Sequence, residues 1–189
     1  MTVRRGFRAE AERISAAVRK DLGIAVVDPL PLDKAARTRK AAVVSAAELV
    51  EVERLAQLER LQAFAFSACT FEVDGRAVIV FNPLRSEPRQ QSDVAHELSH
   101  LLLKHELTEI REVAGVPFRT CRPDQEEEAT TLGGALLLPR PLLLRAVSQG
   151  MGVDDIAGKY GVTPEMARFR LNTTGVARQI DRARSQRAR

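Results

Sequence analysis

Asp93-Val94-Ala95-His96-Glu97-Leu98-Ser99-His100-Leu101-Leu102-Leu103 is the stretch on which the reading of this chain turns. It lacks Gly and Pro and is mostly apolar, so it reads as helix. Four residues make about one helical turn, which stacks His96 over His100 on one face. Two imidazoles at that spacing can bind one metal ion. Glu97 is turned about a third of the way round and can reach a water beside the metal as general base. The pattern His-Glu-x-x-His implies metal-assisted hydrolysis, most often of a peptide bond. Only three His occur in the chain, and two of them fall at this spacing around a Glu. The bland alternative is a buried helix whose His are satisfied by carbonyls. It is disfavoured because apolar helices rarely bury two His and a Glu without a charge partner.

A His pair needs a third protein ligand. His105 lies five residues past His100, about 140° round a continued helix, and so points away from the metal face. It reads as a solvated residue at the helix end, favoured there by the dipole. The longer pattern, with Gly three residues beyond the second His and a third His three further on, is absent: Leu103 and Glu106 stand at those places. The other source is a carboxylate on a second helix, Asp124-Gln125-Glu126-Glu127-Glu128-Ala129 through Leu136-Leu137-Leu138-Pro139. Its acidic start also suits a helix N-terminus, with Asp124 as a possible cap. Ala129, Leu132, Gly133 and Leu136 form its apolar stripe. Glu126 continues that stripe inward, Glu128 sits on its edge and Glu127 projects outward. Glu126 is therefore the expected ligand, with Glu128 left open. Small residues at 129, 133 and 134 let this helix approach the His helix closely.

These motifs together resemble the ImmA/IrrE family of small zinc endopeptidases. The resemblance rests on His96-Glu97-Leu98-Ser99-His100 with Leu101-Leu102-Leu103, on Glu126-x-Glu128-Ala129 and on Leu136-Leu137-Leu138-Pro139. It extends upstream to Phe66-Ser67-Ala68 and Ala77-Val78-Ile79-Val80-Phe81-Asn82, and downstream to Tyr160-Gly161-Val162-Thr163 and Arg170-Leu171-Asn172. It implies an α+β, zincin-like fold of the small gluzincin kind, helices packed on a short antiparallel or mixed sheet. It implies one Zn²⁺ held by two His and one Glu, matched here by His96, His100 and Glu126, with Glu97 as the catalytic base. It also implies cleavage of a helix-turn-helix repressor, derepressing stress, phage or mobile-element genes. Ser99, Thr130, Leu132 and Gly133 depart from the usual residues at packing positions.

The 189 residues allow one sizeable core plus an appendage. Hydrophobic content of 44% and charged content of 29% are those of an ordinary soluble globular chain. The basic start lacks the apolar core of a signal peptide, and no apolar run approaches a membrane span. The expected location is the cytoplasm, with no membrane partner. Cys69 and Cys121 have no metal-motif spacing and read as small apolar residues in a reducing compartment. The net charge of +4 is modest, and much of it lies in the tail.

Phe7, Ala11, Ile14, Val18 and Leu22 repeat at helical spacing until Gly23. Ser45-Ala46-Ala47-Glu48 reads as a capping box opening a helix through about Leu61. Phe66 to Val73, the Asp74-Gly75 turn and Arg76 to Phe81 read as a hairpin whose edge could bind a peptide as an added strand. Ser92 is expected to cap the metal helix, and Glu106 to Pro123 to be loop-like. Residues 1–150 are expected to form the peptidase domain. Residues 151–178 follow as a helix-turn-helix-like subdomain, with Gly161 at the turn and Pro164 opening the second helix. Residues 179–189 are expected as a disordered Arg-rich tail. Arg168 and Arg170 sit where a DNA reader would want them, but two Arg are no base-reading set, so specific DNA binding is not expected. The competing reading is a non-catalytic regulator that binds a repressor or DNA through its C-terminal helices.

Overall fold

The first amphipathic repeat forms α1 (Phe7–Asp21), and the chain leaves it through Gly23 at φ 65°. The computed structural model describes residues 3–62, 66–105, 109–113, 116–120 and 122–187, with 109–113 and 116–120 described by backbone alone. After α1 come α2 (Leu32–Arg37), β1 (Ala41–Ser45) and α3 (Val52–Leu61). The Ser45 capping box does form, with the Ser45 amide donating to Glu48 (3.1 Å). It opens only a 3-10 turn at Ala46–Glu48, however, and α3 starts separately at Val52. Strand β1 and the short α2 had no periodic signal long enough to read.

The hairpin is β2 (Ala68–Val73) and β3 (Arg76–Phe81), joined by Asp74 (φ 51°) and Gly75 (φ 70°). Two successive positive φ values give the tight turn whose twist matches the strands. β1 adds to β3 in parallel, so the order is β1-β3-β2 and the sheet is mixed. Alternation then splits β3. Ala77, Ile79 and Phe81 face the main core, while Val78 and Val80 face a small cluster with Cys69, Ala46 and Leu55. Among the described strands, β2 has no partner on its outer side.

The metal helix is α4 (Glu87–Leu103). It begins earlier than expected. Ser86 is the N-cap and Pro88 lies in the first turn, while Ser92 is internal and its hydroxyl donates to the Pro88 carbonyl (3.1 Å). The stretch expected to be loop-like instead carries an antiparallel ribbon, β4 (Glu109–Val113) with β5 (Val116–Thr120). A two-stranded ribbon consists of edges, where the backbone of Pro117 is tolerated. α5 (Pro123–Leu137) follows, capped by Arg122 rather than Asp124, because Pro123 already occupies its first turn. Then come α6 (Arg140–Ser148), α7 (Val153–Tyr160), α8 (Pro164–Thr174) and α9 (Val176–Arg187). α9 takes in most of the stretch expected as a tail.

Helices α4 and α5 pack with backbones nearly touching. A Cβ on Gly133 would lie 3.3 Å from the Ala95 carbonyl and the His96 amide nitrogen. The C-terminal end of α5 is tied down by two buried arginines. Arg19 of α1 donates to the Leu136 carbonyl (2.7 Å), and Arg170 of α8 to the Leu138 carbonyl (3.0 Å). Both satisfy carbonyls at a helix end that would otherwise be orphaned. Arg170 also pairs with Glu12, so it is structural and not available to DNA. Ile156, Ala157, Val162, Ala167 and Val176 lie in the same buried cluster as Phe7, Leu98 and Leu136.

The close helix approach has a measurable consequence. Gly133→Ala should be nearly neutral, since a tight contact is offset by about 1 kcal/mol of helix propensity. Gly133→Leu should lower stability by about 2–3 kcal/mol, roughly 5–10 °C in Tm, because no rotamer fits between the backbones. Thermal melts of the two variants check this.

Candidate metal centre

Helical stacking brings the two imidazoles of α4 together: His96 Nε2 lies 3.1 Å from His100 Nε2. The α4–α5 contact then delivers Glu126. Its Oε2 is 3.1 Å from His96 Nε2, and its Oε1 is 3.6 Å from His100 Nε2. The ligand–ligand edges of a tetrahedral site with bonds of about 2.0–2.1 Å are roughly 3.3–3.4 Å. The three donors therefore have the spacing and the chemistry of a zinc site. Of the two carboxylates left open by the sequence, Glu126 is the one that meets the His pair. Glu128 meets His105 (3.3 Å) and Arg4 (2.6 Å) instead.

His105 is a correction to the sequence reading. Its side chain is only 6% exposed, and its Nδ1 lies 3.0 Å from His100 Nδ1. The helix ends at Leu103, and Lys104 turns into the left-handed region (φ 54°). The His105 amide then donates to the His100 carbonyl (3.0 Å), closing the helix end. The reversal swings His105 back onto His100. A phase angle computed along a continued helix fails because the helix has already stopped.

The electrostatics suit the chemistry. Burial, and then the neighbouring His96, push His100 down to about 4. It is therefore neutral near pH 7, as a metal ligand must be. Glu97 is pushed above the usual carboxylate range by burial, opposed by the hydroxyl of Thr70, which donates to its Oε2 (2.6 Å). Thr70 sits on β2, so the hairpin positions the carboxylate beside the His pair, a link with no local sequence signal. Ser99, between the two His, bonds back to the Ala95 carbonyl (2.7 Å) and is buried without an orphaned hydroxyl. Cys69 is pushed up to about 11, mainly by burial, which leaves it a thiol near pH 7. Cys121 lies outside the described residues.

His96 and Glu97 line an open cleft of about 440 Å³, bounded by Ser67 and Ala68 at the start of β2, by Arg89 and Asp93 of α4, and by Met166 of α8. This cleft, the mixed sheet and the His-His-Glu constellation coincide with a sequence match: the IrrE N-terminal-like domain of the M78 peptidases covers residues 56–172. The chain belongs to the ImmA/IrrE family. Membership makes this a peptidase-type domain. No curated protein is similar enough in sequence to match. A solved structure, a Mycobacterium tuberculosis transcriptional regulator, superposes with a TM-score of 0.53 at 16% identity over 89% of this chain and 47% of that one. The chain thus spans about half the length of that regulator, and a likeness at this identity shows the fold alone. Among the described residues no helix is long and apolar enough to cross a membrane.

Thr70→Val keeps the side-chain shape and removes the donor that lowers the Glu97 pKa. Glu97 should then titrate still higher. With Glu97 acting as the general base that the sequence suggests, it must be ionised, so the acid limb of the kcat/KM profile should move to higher pH. Activity near neutral pH should fall by up to about tenfold. A pH–rate profile of the variant against the parent checks both shifts.

Proposed function

We propose that this chain is a zinc-dependent endopeptidase of zincin-like fold whose substrate is a helix-turn-helix transcriptional repressor. The observation that carries the reading is the convergence of His96, His100 and Glu126, with donor atoms 3.1–3.6 Å apart, beside a cleft that His96 and the half-buried Glu97 line. In this reading His96, His100 and Glu126 hold Zn²⁺, one per chain, and leave a fourth position open. A zinc ion so held supplies Lewis acidity to water and to the scissile carbonyl. Glu97 takes the proton of the attacking water and returns it to the leaving amine. Burial raises its pKa, which favours that return, and the Thr70 hydroxyl keeps the carboxylate aimed.

The substrate would lie as an added strand along the outer edge of β2, which has no partner among the described strands and whose first residue, Ala68, lines the cleft. Residues 151–178 would act as a helix-turn-helix-like subdomain that recognises the substrate, with Met166 reaching the cleft wall. The burial of Arg170 against Glu12 argues against these helices as an independent DNA reader. The repressor class itself rests on family membership.

Incubation with repressors encoded beside the gene, with and without chelator and read by fragment mass, tests the reading. Cleavage should stop on chelation and return with zinc. Glu97→Gln should keep the metal and lose at least about 10²-fold in rate, whereas His96→Ala should lose both. Near-parental cleavage by Glu97→Gln, or full activity in chelator, would sink the mechanism.

A further inference from the structure

We propose that His105, Glu128 and Arg4 form a positioning relay that fixes the ring and the tautomer in which His100 can receive a metal, tying the N-terminal segment to the metal centre. The proposal rests on the zinc reading above and extends it to three residues outside the ligand set.

The chain of contacts is continuous. His100 Nδ1 faces His105 Nδ1 at 3.0 Å, with the rings edge-on at 71°. His105 Nε2 faces Glu128 Oε2 at 3.3 Å. Arg4 Nε donates to Glu128 Oε1 at 2.6 Å, and a second Arg4 nitrogen pairs with Glu10 at 2.8 Å. The His105 and Glu128 side chains are 6% and 17% exposed, so the inner links are largely removed from water.

Proton bookkeeping selects one arrangement. Each neutral imidazole carries one N–H and one lone pair. Two Nδ1 atoms 3.0 Å apart need one proton between them. If His105 supplied it, the His100 proton would sit on Nε2, the atom aimed at His96 and Glu126. Metal binding would be blocked there. The lone pair of His105 Nε2 would also face a carboxylate oxygen. In the opposite register His105 holds its proton on Nε2 and gives it to Glu128. His105 Nδ1 then accepts from His100 Nδ1–H, and the His100 Nε2 lone pair is directed at the His96–Glu126 cluster. The carboxylate, held in place by Arg4, therefore sets the tautomer two rings away. Metal-binding His residues commonly donate their second N–H to a carboxylate or carbonyl. Here an imidazole is inserted between ligand and carboxylate, because the left-handed turn at Lys104 brings His105 into that space.

The test uses the full-length chain, with zinc affinity read by chelator competition and imidazole tautomers read by ¹⁵N NMR on the metal-free protein. His105→Phe keeps a ring and removes both nitrogens. It should weaken zinc binding roughly 10–100-fold and lower the share of His100 in the Nδ1–H form. His105→Gln, whose amide can accept from His100 and donate to Glu128, should recover affinity to within about threefold. Glu128→Gln covers the case in which His105→Phe does not fold, and it should shift the tautomers in the same direction as His105→Phe. If the parent binds zinc and the folded variants bind it equally well with unchanged His100 tautomer, the relay is wrong while the metal reading stands. If the parent binds no zinc, the metal reading fails and the relay fails with it.

Discussion

The near-contact of α4 and α5 is the constraint on which the rest depends. Three of the site's four residues lie on α4 and the fourth on α5, so the distance between two helix backbones sets the distance between the His pair and Glu126. That distance is short because Gly133 presents no side chain to the Ala95 carbonyl. Glu126 lies seven residues before Gly133, two turns along the same stripe, and is carried to the His pair by this approach. Packing and chemistry are here one feature: a larger residue at 133 would move a ligand as well as open the core.

Holding two helices this close requires their ends to be fixed. Arg19 and Arg170, both buried, reach the carbonyls at the end of α5 from α1 and α8. Burying a guanidinium is costly unless its hydrogen bonds are met. Here the cost buys a rigid terminus for the helix that carries Glu126. It also recruits the C-terminal helical pair into the peptidase core, since Arg170 comes from α8 and pairs with Glu12 of α1. Of the two arginines placed where a DNA reader would want them, Arg170 is thereby used in the interior, while Arg168 stays exposed.

The site divides its electrostatic labour by depth. His100 is buried and kept neutral, Glu97 is half-buried with its pKa raised, and Glu126 remains nearly half exposed. Support comes from three separate directions. Thr70 of the sheet aims Glu97, Ser99 stays within its own helix, and His105 with Glu128 and Arg4 backs His100. An open cleft beside such a supported cluster is the arrangement expected of a hydrolytic centre that admits an extended chain.

The sequence by itself determined whatever is written at short range. His96, Glu97 and His100 are related by one turn of helix, and Glu126 by its phase on an apolar stripe, so residue spacing was enough to bring them forward. The β2–β3 hairpin, α1, and the Gly161–Pro164 junction were legible for the same reason: period and turn residues act within a few positions. Tertiary structure alone decided the rest. The parallel pairing of β1 with β3 joins strands with a helix between them, and the Thr70–Glu97 bond joins residues 27 apart. The burial of Arg19 and Arg170 depends on where α5 ends in space. His105 was misread because its direction depends on one left-handed residue, Lys104. A non-Gly residue adopts that conformation only when the surrounding helix end and burial favour it, and no spacing rule along the chain records that choice.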